Sequence, residues 1–167
     1  YYLYLLQTEY FQVQGDYAKA SEYCLRIIEV VRNNPAVYHK RRLGGSYLNL
    51  SQNEIFNHYF DYSLGFAKEA RKYFQPGTAN YNLGLELEFY AYFYDGKIDL
   101  AQLALEDLVY NPESEQSEFR LAWRHYLMAC TQFVQKSYKL VNEHLNETKA
   151  LNKDKIGWNL GVRTLTI

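Results

Sequence analysis

The sequence predicts an all-α fold of antiparallel helical hairpins stacked into a solenoid, and three observations predict it. The three prolines, Pro35, Pro76 and Pro112, fall between periodic stretches, where a residue unable to donate a helix hydrogen bond does no harm. Apolar residues recur at steps of three and four, as in Tyr17, Ala20, Cys24, Ile27, Ile28 and Val31, which is the spacing of one stripe along a helix. Shifting the chain by 81 residues lays Gly15, Tyr17, Ala20, Cys24, Ile27 and Ile28 over Gly96, Ile98, Ala101, Leu105, Leu108 and Val109. That offset holds two helical pairs of about 40 residues each, a solenoid period. No apolar/polar alternation bounded by turns occurs, so no sheet is predicted.

Taken in order, Tyr1 to Gln14 reads as a helix closed by the turn Gly15-Asp16, and Tyr17 to Arg32 as its partner, ended by Asn33-Asn34-Pro35. A third helix is predicted from about Ala36 to Leu50, with Gly44-Gly45 marking a close backbone approach, since glycine inside a helix otherwise costs about 1 kcal/mol. Ser51-Gln52-Asn53-Glu54 has the spacing of a capping box, which predicts a fourth helix from about Asn53 to Phe74. Gln75-Pro76-Gly77-Thr78 is a loop. Ala79 to Tyr94 and Lys97 to Tyr110 flank the turn Asp95-Gly96, and Asn111-Pro112-Glu113-Ser114 breaks the chain again. Glu115 to Gln135 and Ser137 to Leu151 form the next pair, Asn152-Lys153-Asp154 is the last turn, and a ninth helix begins at Lys155. Trp158, Leu160 and Val162 need cover, either from further chain or by packing back as a cap. Short turns imply antiparallel neighbours throughout.

A chain of 167 residues, 48% hydrophobic, suits one domain, 1–167, with a sizeable interior. Lys and Arg number 18 against 19 Asp and Glu, so no field draws the whole chain to nucleic acid. No apolar run reaches the roughly 20 residues of a membrane span, and no signal peptide is legible, so a soluble, cytoplasmic protein is expected. Because the chain begins at Tyr1 and stops within an amphipathic pattern, it reads as a piece of a longer protein. Cys24 and Cys130 lie far apart on apolar faces and are expected as buried free thiols.

Motifs that carry chemistry are lacking. His39, His58, His125 and His144 are scattered, with no second His or Cys three or four residues away, so no metal is expected. Asp95-Gly96-Lys97-Ile98-Asp99 fails as a calcium loop because Tyr and Phe precede it where acidic ligands belong. There is no phosphate loop, nucleophile elbow or zinc-protease motif. No enzyme activity and no cofactor are expected. Acidic residues such as Glu86, Glu88 and Glu9 could meet in space, but charges on helical arrays usually form a solvated face. Asn49-Leu50-Ser51 and Asn146-Glu147-Thr148 fit the glycosylation acceptor pattern, which is common by chance.

These repeats resemble the tetratricopeptide repeat, whose signature is an aromatic, Leu-Gly and Tyr on the first helix, then Ala-x-x-x-Phe on the second. The first copy offers Tyr4, Phe11, Ala20 and Cys24, with Gln7-Thr8 for Leu-Gly. A second has Leu43-Gly44 and Tyr47, with Ser51 at the turn and Phe56 and Phe60 for Ala and Phe. The third keeps Tyr92, Gly96 and Ala101 but has Glu88-Phe89 for Leu-Gly, and the fourth has Ala129, Gln132 and Val141. The approximate repeats are 1–34, 35–76, 77–112 and 113–152, with a partial or capping helix at 153–167. Turn residues are 36, 45 and 40 apart, against about 34 in the family.

The resemblance implies a right-handed superhelix whose first helices line a concave groove that takes a peptide or helix. The residues carried inward are Tyr2, Leu5, Glu9 and Gln12 from the first copy and Tyr38, Arg41, Gly45 and Asn49 from the second. The third supplies Glu86, Tyr90, Phe93 and Tyr94, and the fourth Trp123, Tyr126 and Phe133. Tyr, Trp and Arg are the side chains that most often dominate interface energy, so Tyr2, Glu9, Tyr38, Arg41, Asn49, Tyr90, Tyr94, Trp123 and Tyr126 are the candidate contacts. For any one ring, filling space between helices is the competing role. Leu5 and Glu9 replace the Lys and Asn with which some members hold chaperone carboxylates, which disfavours that activity here. The implied function is a non-catalytic scaffold for a protein or peptide partner. A sensor module attached to an effector domain, and a self-assembling array in which the partner is a second copy, stay open as alternatives.

Overall fold

The structure, a computed structural model, describes residues 1–110, 117–153 and 158–165. Among these there is no strand. The helices are α1 (Tyr2–Val13), α2 (Tyr17–Asn33), α3 (Lys40–Phe56), α4 (Phe60–Arg71), α5 (Ala79–Tyr94), α6 (Ile98–Tyr110), α7 (Glu118–Val134), α8 (Tyr138–Asn146) and α9 (Trp158–Leu165). A 3-10 turn, Lys149–Lys153, lies between the last two. From α1 to α8 each helix packs against the next in sequence, α3 also meets α5, and α9 folds back on α7 and the 3-10 turn.

One turn geometry recurs. Gly15, His58, Gly96 and Lys136 all have positive φ. The N–H of each donates to a carbonyl three residues back, and the next N–H to one five back: Gly15 to Gln12 and Asp16 to Phe11, His58 to Ile55 and Tyr59 to Glu54, Gly96 to Phe93 and Lys97 to Tyr92, Lys136 to Phe133 and Ser137 to Gln132. This pair of bonds satisfies the last carbonyls of a helix while reversing the chain within two residues. Five residues after each turn stands a small or β-branched side chain, Ala20, Ser63, Ala101 or Val141, all buried, where the second helix of the hairpin closes on the first.

The second hairpin therefore turns at Asn57-His58 and not at Ser51. Ser51 and Glu54 do not cap a helix. Ser51 Oγ donates to the Ser63 carbonyl at 3.0 Å, and Glu54 accepts from Ser21 Oγ at 2.5 Å, so both are spent on contacts between helices. Successive turns are 43, 38 and 40 residues apart. Helix α3 also starts later than its pattern predicts, at Lys40, capped by His39 Nδ1, which accepts from the Arg41 N–H at 3.1 Å. The predicted eighth helix to Leu151 ends at Asn146 and yields to the 3-10 turn. The predicted breaks at 111–114 and at Asp154, and the start at Lys155, lie outside the described residues.

Two larger apolar clusters share the interior. Cys24, Ile27, Val31, Leu43, Leu50 and Ala67 join α2, α3 and α4, and Leu85, Phe89, Ala101, Leu105, Leu108 and Leu127 join α5, α6 and α7. Of the predicted pair of close approaches, Gly44 makes one: a Cβ there would meet Phe74 at 2.6 Å, whereas Gly45 has nothing within 4 Å. Val162 is buried with Ala122 and Leu151, so α9 does pack back on α7, while Leu160 stays exposed. The outer face of α1 exposes Tyr2, Leu3, Leu6, Tyr10 and Val13.

Candidate functional site

Helical spacing sets aromatic rings in pairs. Tyr90 and Tyr94 are four residues apart on α5 and stack with ring centroids at 6.1 Å. Phe89 and Phe93 do the same at 5.4 Å. Trp123 and Tyr126, three apart on α7, stack at 5.4 Å. These faces meet around a cleft of about 550 Å³ that α3 completes with Gln52, Ile55 and Phe56. Its lining includes no Asp, Glu, Lys, Arg or His. Burial pushes the Tyr126 hydroxyl up to about 12, raises Tyr90 further, where Trp123 is within hydrogen-bonding reach, and raises the Cys130 thiol. The cleft is of a kind that can take up an apolar side chain.

Two further clefts share lining residues in series with it. A middle one of about 370 Å³ is lined by Tyr1 and Leu5 of the first hairpin, Arg41, Arg42, Gly45, Ser46, Leu48 and Asn49 of α3, and Asn80 and Leu83 of α5. It shares Leu83 with the aromatic cleft. An outer one of about 750 Å³ is lined by Tyr38, His39, Lys40, Arg41, Lys72, Tyr73 and Phe74, and by Thr78, Ala79 and Asn80. Arg41 and Asn80 belong to both of these. Lys72 is held by Glu69 at 2.6 Å, and Arg42 donates to the Val37 carbonyl at 3.1 Å and lies over the Tyr1 ring. Among the described residues neither Lys40 nor Arg41 forms an ion pair.

The structure thus brings Tyr90, Tyr94, Trp123 and Tyr126 together, and places Asn49, Arg41 and Tyr38 in the middle and outer clefts. Tyr2 and Glu9 are exposed on α1 and line none of these three clefts. Gln12 is turned to Asn53, donating at 2.7 Å. Glu86 is not inward-facing toward a groove: it is buried beside Arg124 at 3.7 Å and Arg120 at 4.0 Å. Glu88 pairs with Arg71 at 2.7 Å. Burial raises both carboxyls above the usual carboxylate range, and the arginines offset only part of that rise. Each acid meets its own arginine, so these two are structural ties between helices.

Sequence spacing could not reveal one juxtaposition, since 19 residues separate its members. His125 on α7 and His144 on α8 face each other with Nδ1 atoms 3.2 Å apart, and burial lowers the pKa of both. Among the described residues no group of three or more His, Cys, Asp or Glu is placed to hold a metal ion. Cys24 and Cys130 are free thiols. Cys24 is sealed between Thr8 and Asn53 and pushed up to about 11 by burial.

Fold and site together define an all-α chain of sequentially packed helices with three clefts that share lining residues on α3 and α5. Comparison with known protein families, with curated proteins and with solved structures finds no match for this chain.

Proposed function

We propose that this chain is a divergent tetratricopeptide-like superhelix and that it serves as a non-catalytic scaffold, binding a peptide or helical segment of a partner protein. One observation carries the reading. The aromatic cleft is built from α3, α5 and α7, the first helices of three successive hairpins, and it gathers Tyr90, Tyr94, Trp123 and Tyr126 without a charged group among them. The recurring turn at Gly15, His58, Gly96 and Lys136 supports the repeat architecture. Stacked, half-exposed rings are ordered before a partner arrives, so less side-chain freedom is lost on binding. Such walls favour burial of apolar side chains.

The test is selection from a displayed random-peptide library against the 167-residue chain, followed by affinity measurement of the selected peptides. Binding should weaken at least tenfold with Tyr94→Ala or Trp123→Ala and stay unchanged with Tyr62→Ala, an exposed ring on α4. Failure to select any peptide, or equal binding by all three variants, would contradict the proposal.

A further inference from the structure

The two clefts beyond the aromatic one are lined by charged residues of one sign. No Asp or Glu lines the aromatic, middle or outer cleft, although acids slightly outnumber bases in the chain, 19 to 18. Cations gather at the far end, where Arg41 is common to the middle and outer clefts and Lys40 lies beside it. Their placement works against the fold. Lys40, Arg41 and Arg42 form the first turn of α3, which has no acidic residue, so they meet the positive end of the helix dipole.

We propose that the partner segment is a peptide that is apolar or aromatic at one end and acidic at the other. Its apolar side chains fill the cleft between α5 and α7, and its carboxylates meet Arg41, which the middle and outer clefts share, and Lys40 in the outer one. This rests on the groove reading given above and adds the chemistry and direction of the ligand. A nucleic-acid strand fits less well, because its phosphates are evenly spaced while the charge here is confined to one end and the other end is apolar.

The experiment is the same displayed library, selected in parallel against the wild-type chain and the Lys40→Glu/Arg41→Glu variant, with circular dichroism to establish that the variant stays helical. Wild type should enrich peptides carrying Phe, Tyr, Trp or Leu toward one end and Asp or Glu toward the other. The variant should keep the apolar preference, exchange Asp and Glu for Lys and Arg, and bind the wild-type peptides at least tenfold more weakly. Enrichment of apolar peptides with no acidic bias, or with a bias that ignores the charge reversal, overturns the proposed partner chemistry and leaves the groove reading intact. An empty selection overturns both. An oligo-dT probe that displaces the peptides and loses affinity on charge reversal would make nucleic acid the occupant and overturn the peptide.

Discussion

Ser51, in the interior of α3, and Ser63, near the start of α4, face each other with hydroxyl oxygens 3.0 Å apart, and the Ser51 hydroxyl also donates to the Ser63 carbonyl. Both are fully buried. Ser63 occupies the place that Ala20 and Ala101 hold in the neighbouring hairpins, five residues beyond the turn. Ser51→Ala should destabilise the chain by about 1 kcal/mol, the net value of a lost buried hydrogen bond. Ser51→Leu should cost more, about 1–3 kcal/mol, by overpacking the seam. Chemical denaturation of the two variants measures the difference.

Adjacent glycines in α3 should respond in opposite directions. Gly44→Ala sets a methyl against Phe74 and the Tyr73 Cβ, which stands 2.9 Å away, and should cost about 1–3 kcal/mol. Gly45→Ala meets open space and should gain up to about 1 kcal/mol from helix propensity. Thermal unfolding of both variants checks the sign.

Function and stability should part company at the start of α3. Lys40→Glu and Arg41→Glu replace cations at the positive helix end, so each should raise stability by about 0.3–1 kcal/mol at low salt. The same changes should weaken an acidic ligand. A gain in stability with a loss of binding, read by denaturation and by affinity, marks residues kept for the partner.

The histidine pair predicts a pH dependence. Burial holds both folded-state pKa values below the ordinary value of 6.5, so as pH falls the unfolded chain takes up these protons first. Stability should then be fully present above about 6.5, decline as pH drops below it, and level off once both rings are charged in the folded state. Glu143 and Glu147 face the pair and partly offset the decline. The His125→Gln/His144→Gln variant should flatten this limb of the stability curve.

Much of the fold was legible because glycine and proline punctuate it. Gly15 and Gly96 announce their turns, and the apolar stripe of α2 reappears buried. At the second hairpin the turn residue is His58, whose φ of 62° has no glycine to advertise it. Ser51 and Glu54 stand in a capping pattern whose side chains are used across helices, so pattern and packing conflicted and packing prevailed. The rings of α5 and α7 could be placed on first helices, but sequence could not say that Glu86 turns inward to Arg124, because such ties depend on elements far apart in the chain. His125 and His144 were invisible for the same reason.

Thiol footprinting tests the groove most directly, because one cysteine lies in it and the other does not. Cys130 lines the aromatic cleft, while Cys24 is wholly buried elsewhere and serves as an internal control. A saturating selected peptide should slow alkylation of Cys130 at least tenfold, with Cys24 unreactive in both states until the chain unfolds. An unchanged Cys130 rate under saturating peptide would show that the partner binds elsewhere and would contradict the account.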